Sequence, residues 1–269
     1  MAEVVQLDFP SDGVARVLQN TGPHNFSTFE ANQQLLTALE HARANGARVV
    51  VVGSSVEGHF AGHGWLPDVI ETFTGGTPSG DPLAGWRGFK ELDTGPMVSI
   101  AAVDGPAWGH GAELAWACDL RVASTRATFG QPEVNIGVCP GSGGTARLAR
   151  LVGEATALRL VLDGRPIDGA EALRLGLIHR LVDPGQALDE ALGWAEWLAS
   201  RPLGALTACK SAVKGARGLP FEDALRHEGA VFIELLSRSE TIDRLRATQA
   251  RYDDGADTPD AFGIPRMQA

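Results

Sequence analysis

Hydrophobic and polar positions alternate along VVQLDF (4–9) and VARVLQ (14–19), with Ser11-Asp12-Gly13 between them. That period predicts two strands joined by a turn. NTGPHN (20–25) reads as a loop, and 27–46 switches to helical spacing through Phe29, Leu35, Leu36, Leu39 and Ala42. RVVVVG (48–53) and MVSIAAVDG (97–105) are continuous apolar runs ending in glycine, the pattern of buried parallel strands. Residues 54–64 form a Gly- and His-rich loop. TFTGGTPSGDPLAG (72–85) is the least regular stretch and is expected to be a mobile surface segment. Residues 109–118 are helical, LRVAS (120–124) and ATFG (127–130) are short extended pieces, and PGSGGTARLARLVG (140–153) is a Gly-rich turn into a helix. The recurring order of strand, strand and helix predicts an α/β class.

After residue 154 the period is almost wholly helical. ATALRLVLDG, AEALRLGL, ALDEALGWAEWLAS, ALTACKSAVKGA, EDALRHEGAVFIELLSR and ETIDRLRATQARYDDG follow one another, with IHRLV (178–182) alone strand-like. The expected organisation is an α/β core over 1–195 and a helical C-terminal region over 196–269, ending in a tail, TPDAFGIPRMQA.

Composition narrows the class. The chain has 269 residues, 44% hydrophobic and 21% charged, enough for a sizeable core. A net charge of −10 argues against a nucleic-acid-coating protein. No apolar run reaches the roughly 20 residues of a membrane span. MAEVVQLDFPSDG lacks a basic region followed by an apolar one, so no signal peptide is expected. Cys118, Cys139 and Cys209 form no metal-like pairing and suit a reducing compartment. A cytoplasmic protein is the expectation. Lys90, Lys210 and Lys214 are the only lysines, so phosphate contacts would lean on arginine.

The chemistry sits at two Gly-rich strand-to-helix transitions, HFAGHGWL (59–66) and WGHGAEL (108–114). A helix N-terminus leaves N–H groups unpaired and carries partial positive charge. Two such ends facing one point would polarise a carbonyl that turns enolate-like; the plainer reading is that glycine merely permits tight turns. Glu113 follows the second glycine turn inside an apolar run. Glu133, in FGQPEVNIG, stands twenty residues on, with Pro132 fixing the backbone before it. Two carboxyl groups sharing a water can act as general base and general acid. Taken singly, Glu113 would be a first-turn acid on a helix dipole and Glu133 a turn or cap residue. His59, His63 and His110 also raise a metal site, but no cysteine or carboxylate completes a ligand set, and none is expected.

HFAGHGWL, VDGPAWGHGAELAWACDLRVAS, FGQPEVNIGVCPGSGGTARLARLVG and DGRPIDGAEALRLGLIHRLV together resemble the crotonase (enoyl-CoA hydratase/isomerase) superfamily over nearly the whole chain. GxGxEL, then FGQPE, then PGxGGTxRL at these spacings is a specific combination. The resemblance implies a ββα spiral with a helical C-terminal region. It implies two backbone amides on the thioester carbonyl. The first is that of Gly64, or of His63 if the match shifts by one residue; the second is that of His110. It implies Glu113 and Glu133 as the pair that holds and activates a water, as in the family's hydratases, with Gly141 lining the water site and opening the helix after Pro140. Gly62, His63, Trp65, Trp108, Gly109 and Pro132 would line the substrate. The implied reaction is reversible hydration of a trans-2-enoyl-CoA. Another thioester reaction (isomerisation, hydrolysis, decarboxylation or C–C bond formation) is the alternative. No cofactor is implied beyond the coenzyme A of the substrate, and the implied assembly is a homotrimer or dimer of trimers. The chain departs from the pattern at His63 and His110, where small residues are usual, and at Trp65, where Asp is usual. It also has Thr21-Gly22 where a basic residue often stands. Lys210 and Lys214 would face either the nucleotide or solvent.

Overall fold

The computed structural model describes residues 3–264. The chain divides into two compact units, Met1–Leu203 and Gly204–Ala269. In the first, β1 (Val5–Ser11) and β2 (Val14–Gln19) pair antiparallel about Asp12-Gly13. α1 (Phe29–Ala44) starts where the Thr28 hydroxyl accepts from the Ala31 N–H at 3.0 Å. It buries Ala31, Leu35, Ala38, Leu39 and Ala42 along one face. β3 (Val49–Ser54), α2 (Leu66–Thr74), α3 (Ala84–Thr94), β4 (Val98–Val103), β5 (Pro106–Trp108), α4 (His110–Ala117), β6 (Leu120–Ser124) and β7 (Thr128–Gly130) follow. A 3-10 turn, Pro132–Ile136, leads to α5 (Gly144–Val152), α6 (Glu154–Asp163), β8 (Ile167–Asp168), α7 (Gly169–Arg174), β9 (Arg180–Val182) and α8 (Ala187–Ala199).

The larger sheet has the order β1-β2-β3-β4-β6-β9, parallel from β2 onward; a smaller one has the order β5-β7-β8. Val49 to Val52 are fully or almost fully buried. Each such side chain contributes on the order of 2 kcal/mol of burial. α8 lies over β3, β4 and β6. It places Ala187, Ala191, Ala195 and Ala199 inward, small residues at every fourth position that allow close approach. This stripe runs through the expected break at 195/196 and carries the helix to Ala199.

Three local expectations are corrected. Residues 72–85 are not a single irregular segment: they hold the end of α2, a loop, and the start of α3. Asp68, buried in α2, ties that loop down. Its carboxylate accepts from the Ser79 N–H and hydroxyl, each at 2.7 Å, and from the Phe29 N–H at 2.8 Å. The helix after Pro140 opens at Gly144 rather than Gly141. Gly143 takes a left-handed φ of 96° as its cap. The expected tail contains α12 (Thr258–Phe262), capped by the Asp257 carboxylate on the Asp260 N–H; its last five residues, 265–269, lie outside the described residues. The second unit otherwise consists of α9 (Leu203–Gly215), α10 (Phe221–Leu236) and α11 (Ser239–Asp253). Lys210 and Lys214 are half-buried on α9. No helix among the described residues is long and apolar enough to cross a membrane.

Candidate active site

The loop after β3 is threaded between two backbone segments. Gly62 donates its N–H to Asn25 O at 2.8 Å, Ser27 to His63 O at 3.1 Å, and Trp65 to Ser27 O at 2.9 Å. On the other side, Trp108 donates to Ala61 O at 3.3 Å. Asn25 organises the crossing from a buried left-handed conformation (φ 46°), which asparagine tolerates better than most residues. Its amide nitrogen donates to Phe60 O at 2.5 Å and Ser54 Oγ at 3.0 Å, and its oxygen accepts from the Thr21 N–H at 2.9 Å. Approach of the two strand-to-helix loops requires Gly111, because a Cβ there would lie 1.9 Å from Ala61 O.

This crossing presents two backbone amides side by side. The bridge to Ser27 uses the His63 carbonyl and the Trp65 N–H, so the Gly64 N–H faces the opposite edge. There the position of a Gly64 Cβ would lie 3.9 Å from His110 Cβ. His110 is the first residue of α4, where an N–H has no helical partner. Among the described residues no acceptor takes either N–H. Gly109 sets the geometry with φ 55° and ψ −122°, a region glycine enters without strain, while its N–H is held by Gly130 O at 2.8 Å. Its missing side chain also leaves room for two neighbours. A Cβ there would lie 3.0 Å from Glu133 Oε1 and 3.1 Å from His63 Cβ.

Glu113, in the first turn of α4, is 2% exposed. Its Oε1 accepts from the N–H groups of Ser142 at 2.8 Å and Gly144 at 2.7 Å. Burial raises its pKa to about 7, against the pull of those two donors; the negative charge of Glu133 adds to the rise, and Arg147 opposes it. Buried Arg121 anchors the far end of the same helix, donating to the carbonyls of Cys118 at 2.6 Å and Ala115 at 3.2 Å. Glu133 stands half-buried on the 3-10 turn that Pro132 opens, and burial raises its pKa, with nearby His63 acting the other way. The Gln131 amide, assigned with its nitrogen toward Glu133, sets that nitrogen 3.0 Å from both carboxylate oxygens, in reach to donate to them. The Gln131 side chain also links the two acids in space. The position of a Gly144 Cβ would be 2.8 Å from Glu113 Oε1 and 3.1 Å from the Gln131 side chain.

The remaining sequence candidates divide. His63, Gly64, Gly109 and His110 gather about the two acids, while Gly62 packs against His24 and Phe26, its N–H on Asn25 O. The His63 ring packs on Phe26 at 4.7 Å, with Nδ1 2.8 Å from Gly64 O. Trp65, 38% exposed, lies against the other side of this cluster, 5.3 Å from the Phe26 ring. Trp108 donates its indole N–H to Thr128 Oγ1 at 2.9 Å and so links β5 to β7. Gly141 is exposed, directly before the Ser142 N–H that grips Glu113. His59 stands near His24, at 6.2 Å between rings, and no group of three or more His, Cys, Asp or Glu among the described residues could hold a metal. Gln131, Ser142, Gly144 and Asn25 are site-building residues that the motif reading passed over.

The arrangement sets two free amides, able to hold a developing oxyanion, beside two carboxyl groups of raised pKa, able to exchange protons. Comparison with known proteins agrees. The family model for enoyl-CoA hydratase/isomerase matches residues 11–247. A probable enoyl-CoA hydratase of Rhizobium meliloti is 44% identical over 171 residues, 64% of this chain and 65% of that protein, so the chain spans just under two thirds of that relative's length. A probable mitochondrial enoyl-CoA hydratase 2 of Arabidopsis thaliana is 31% identical over 80% of this chain and 73% of its own. The crystal structure of an enoyl-CoA hydratase from Polaromonas sp. JS666 superimposes with a TM-score of 0.83 at 26% identity, covering 92% of this chain and 97% of that one. The chain belongs to the enoyl-CoA hydratase/isomerase family and has the crotonase fold.

Proposed function

We propose that the protein is an enoyl-CoA hydratase, adding water reversibly across a trans-2-enoyl-CoA to give a 3-hydroxyacyl-CoA. The observation that carries this reading is the pair of carboxyl groups, Glu113 on α4 and Glu133 on the 3-10 turn, close enough for the charge of one to raise the pKa of the other. An isomerase moving one proton can work with a single carboxyl. Two carboxyls beside two free amides suit addition of H and OH across one double bond.

In this reading the thioester oxygen accepts from the N–H groups of Gly64 and His110. Glu113, with Oε1 clamped by backbone, uses Oε2 to orient the water and share in taking its proton. The water oxygen bonds to C3 as its O–H bond breaks, the double-bond electrons move toward the thioester oxygen, and Glu133 passes the water's proton on to C2. His63 and Trp65, both packed on Phe26, would border the bound acyl group. The reaction asks for no cofactor beyond the coenzyme A that carries the acyl group, or a phosphopantetheine arm in its place. We take the working form to be a cytoplasmic homotrimer or dimer of trimers, which light scattering of the purified protein would test.

The decisive experiment follows the loss of enoyl absorbance with crotonyl-CoA and with longer or aromatic enoyl-CoAs. Rapid loss is expected, with a drop of about a hundredfold or more in each of Glu113→Gln and Glu133→Gln. Folded protein that turns over no enoyl-CoA overturns the proposal and directs attention to the other thioester reactions.

A further inference from the structure

His110 contributes a side chain as well as an amide, and that side chain has its own built environment. Its ring lies 4.6 Å from the Phe89 ring at 34°. Gly85 of α3 makes the space: a Cβ there would lie 2.9 Å from His110 Cε1 and 3.1 Å from Nε2. Burial lowers the imidazole pKa to about 4, so the ring is neutral at ordinary pH.

A neutral ring has one donor nitrogen and one acceptor. Nε2 lies 3.2 Å from Asn32 Oδ1, an atom that only accepts, so the proton sits on Nε2. Nδ1 is therefore bare, and the Ser142 hydroxyl, at 3.1 Å, donates to it. The same Ser142 donates its backbone N–H to Glu113 Oε1. The Arg147 guanidinium donates to the Ser142 carbonyl at 2.8 Å, so this residue is held at three points. Glu113 Oε2 faces the bare Nδ1 at 3.8 Å, a neighbour that offers no proton.

We propose that the His110 side chain is a positioning residue for Glu113: a neutral imidazole, fixed by Asn32 as the Nε2–H tautomer, whose Nδ1 holds the Ser142 hydroxyl and so keeps the Ser142 N–H on the Glu113 carboxyl. The ring ties α1 and the 140–143 loop to the helix that carries the acid. Its bare Nδ1 offers Oε2 no proton, so the ring acts on the carboxyl only through the Ser142 N–H. Around Glu113 the other charged groups are Glu133 on the 3-10 turn and Arg147 on α5. Neither is part of the brace to Asn32. The kinetic arm of the test rests on the hydratase reading; the titration arm does not.

The test uses the two amide replacements that each keep one ring nitrogen's role. Asparagine places an acceptor where Nδ1 stands, and glutamine places a donor where Nε2 stands. The Glu113 carboxyl is titrated directly by its protonated C=O infrared band, assigned by the band's loss in Glu113→Gln. His110→Asn should leave the titration where it is in the wild type. His110→Gln and Ser142→Ala should each move it upward by about one unit, as the carboxylate loses a firmly held N–H. The double variant His110→Gln/Ser142→Ala should go no further than either single one, because both remove the same contact. With crotonyl-CoA, His110→Gln and Ser142→Ala should lower kcat about tenfold with KM little changed, and His110→Asn should restore most of it. An unmoved titration in His110→Gln and Ser142→Ala overturns the proposal. So does an equal loss of activity in His110→Asn and His110→Gln with both titrations unmoved, which would reduce the ring to packing. If the wild type hydrates no enoyl-CoA, the proposed function fails and the infrared titration still decides the role of His110.

Discussion

Glu113 and Glu133 are the same residue type in the same site, yet they are held in opposite ways. Glu113 is buried on a helix, and backbone N–H groups grip one of its oxygens. Glu133 is half-buried on a 3-10 turn, with a side-chain amide as its hydrogen-bond donor. A backbone grip fixes an oxygen's position but leaves the charge short of water, so burial governs its proton affinity. A side-chain grip on a more open turn leaves the acid freer to move with its proton. The difference matches the division of labour proposed above, with one acid placing a water and the other carrying a proton to and from carbon.

Breaking the Glu133 side at its glycine should have the largest effect. In Gly109→Ala the new methyl must meet Glu133 Oε1 and His63 Cβ, and a left-handed backbone must carry a side chain. The adjustment re-aims the His110 N–H as well. Loss of one such donor costs about a hundred- to a thousandfold in kcat, and steady-state hydration should fall by at least that factor. Activity within tenfold of wild type would show that neither the His110 amide nor Glu133 is used as proposed.

Next in size is a contrast in stability. A Glu113 pKa raised from 4.5 to about 7 means the folded state binds this proton more tightly than the unfolded chain does. Below pH 4.5 both states are protonated and there is no penalty. Between 4.5 and about 7 the penalty grows as pH rises, and above that it is complete, on the order of 3 kcal/mol. Glu113→Gln, which keeps an acceptor for the Ser142 and Gly144 N–H groups, should therefore raise Tm at pH 8 and hardly change it at pH 4.5. Glu133→Gln should raise it less, because Glu133 is only half-buried. Thermal melts at the two pH values would remove the distinction between the acids if the two variants behave alike.

A smaller effect is expected at Gln131. Replacing it by Leu removes the donor to both Glu133 oxygens, so the Glu133 pKa should rise further and the acid limb of the kcat profile should move up. Activity at neutral pH should fall about tenfold, with the Glu113 infrared titration nearly unchanged. A shift of the Glu113 titration instead would mean that Gln131 serves both acids equally.

The legibility of these features in the sequence follows from what kind of group does the holding. β3 and β4 were readable because continuous burial demands runs such as Val49–Val52. Both glutamates stood out as charges in apolar surroundings. The donors to Glu113 did not, because a backbone N–H leaves no side-chain signature and any residue at 142 or 144 supplies one. The loop at 75–83 read as irregular for a similar reason: its order comes from Asp68, eleven residues before Ser79 on the preceding helix, whose bonds form only once the chain folds. His110 was visible as a departure from a small residue. The glycine that makes room for its ring lies on a different helix, and no local pattern connects the two.

The smallest predicted effect concerns the rung between the limbs that carry the two acids. β5 runs into α4 and Glu113, and β7 runs into the turn and Glu133. Their parallel pairing, Pro106 with Thr128 through Trp108 with Gly130, sets how far apart the acids stand. The Trp108 indole N–H on Thr128 Oγ1 reinforces it from the side chains at 2.9 Å. Trp108→Phe keeps most of the apolar contact and removes that one hydrogen bond, a loss of about 1 kcal/mol. Tm should fall by a few degrees, and kcat and KM for crotonyl-CoA should stay within about threefold, because backbone pairing still holds the register. Binding of an acyl-CoA that weakens strongly while Tm is unchanged would give Trp108 the other role expected from the sequence, that of a wall against the acyl group. Because the hydrogen bond fixes the ring on the β7 side, the structure favours the stabilising role, and calorimetry beside steady-state kinetics separates the two.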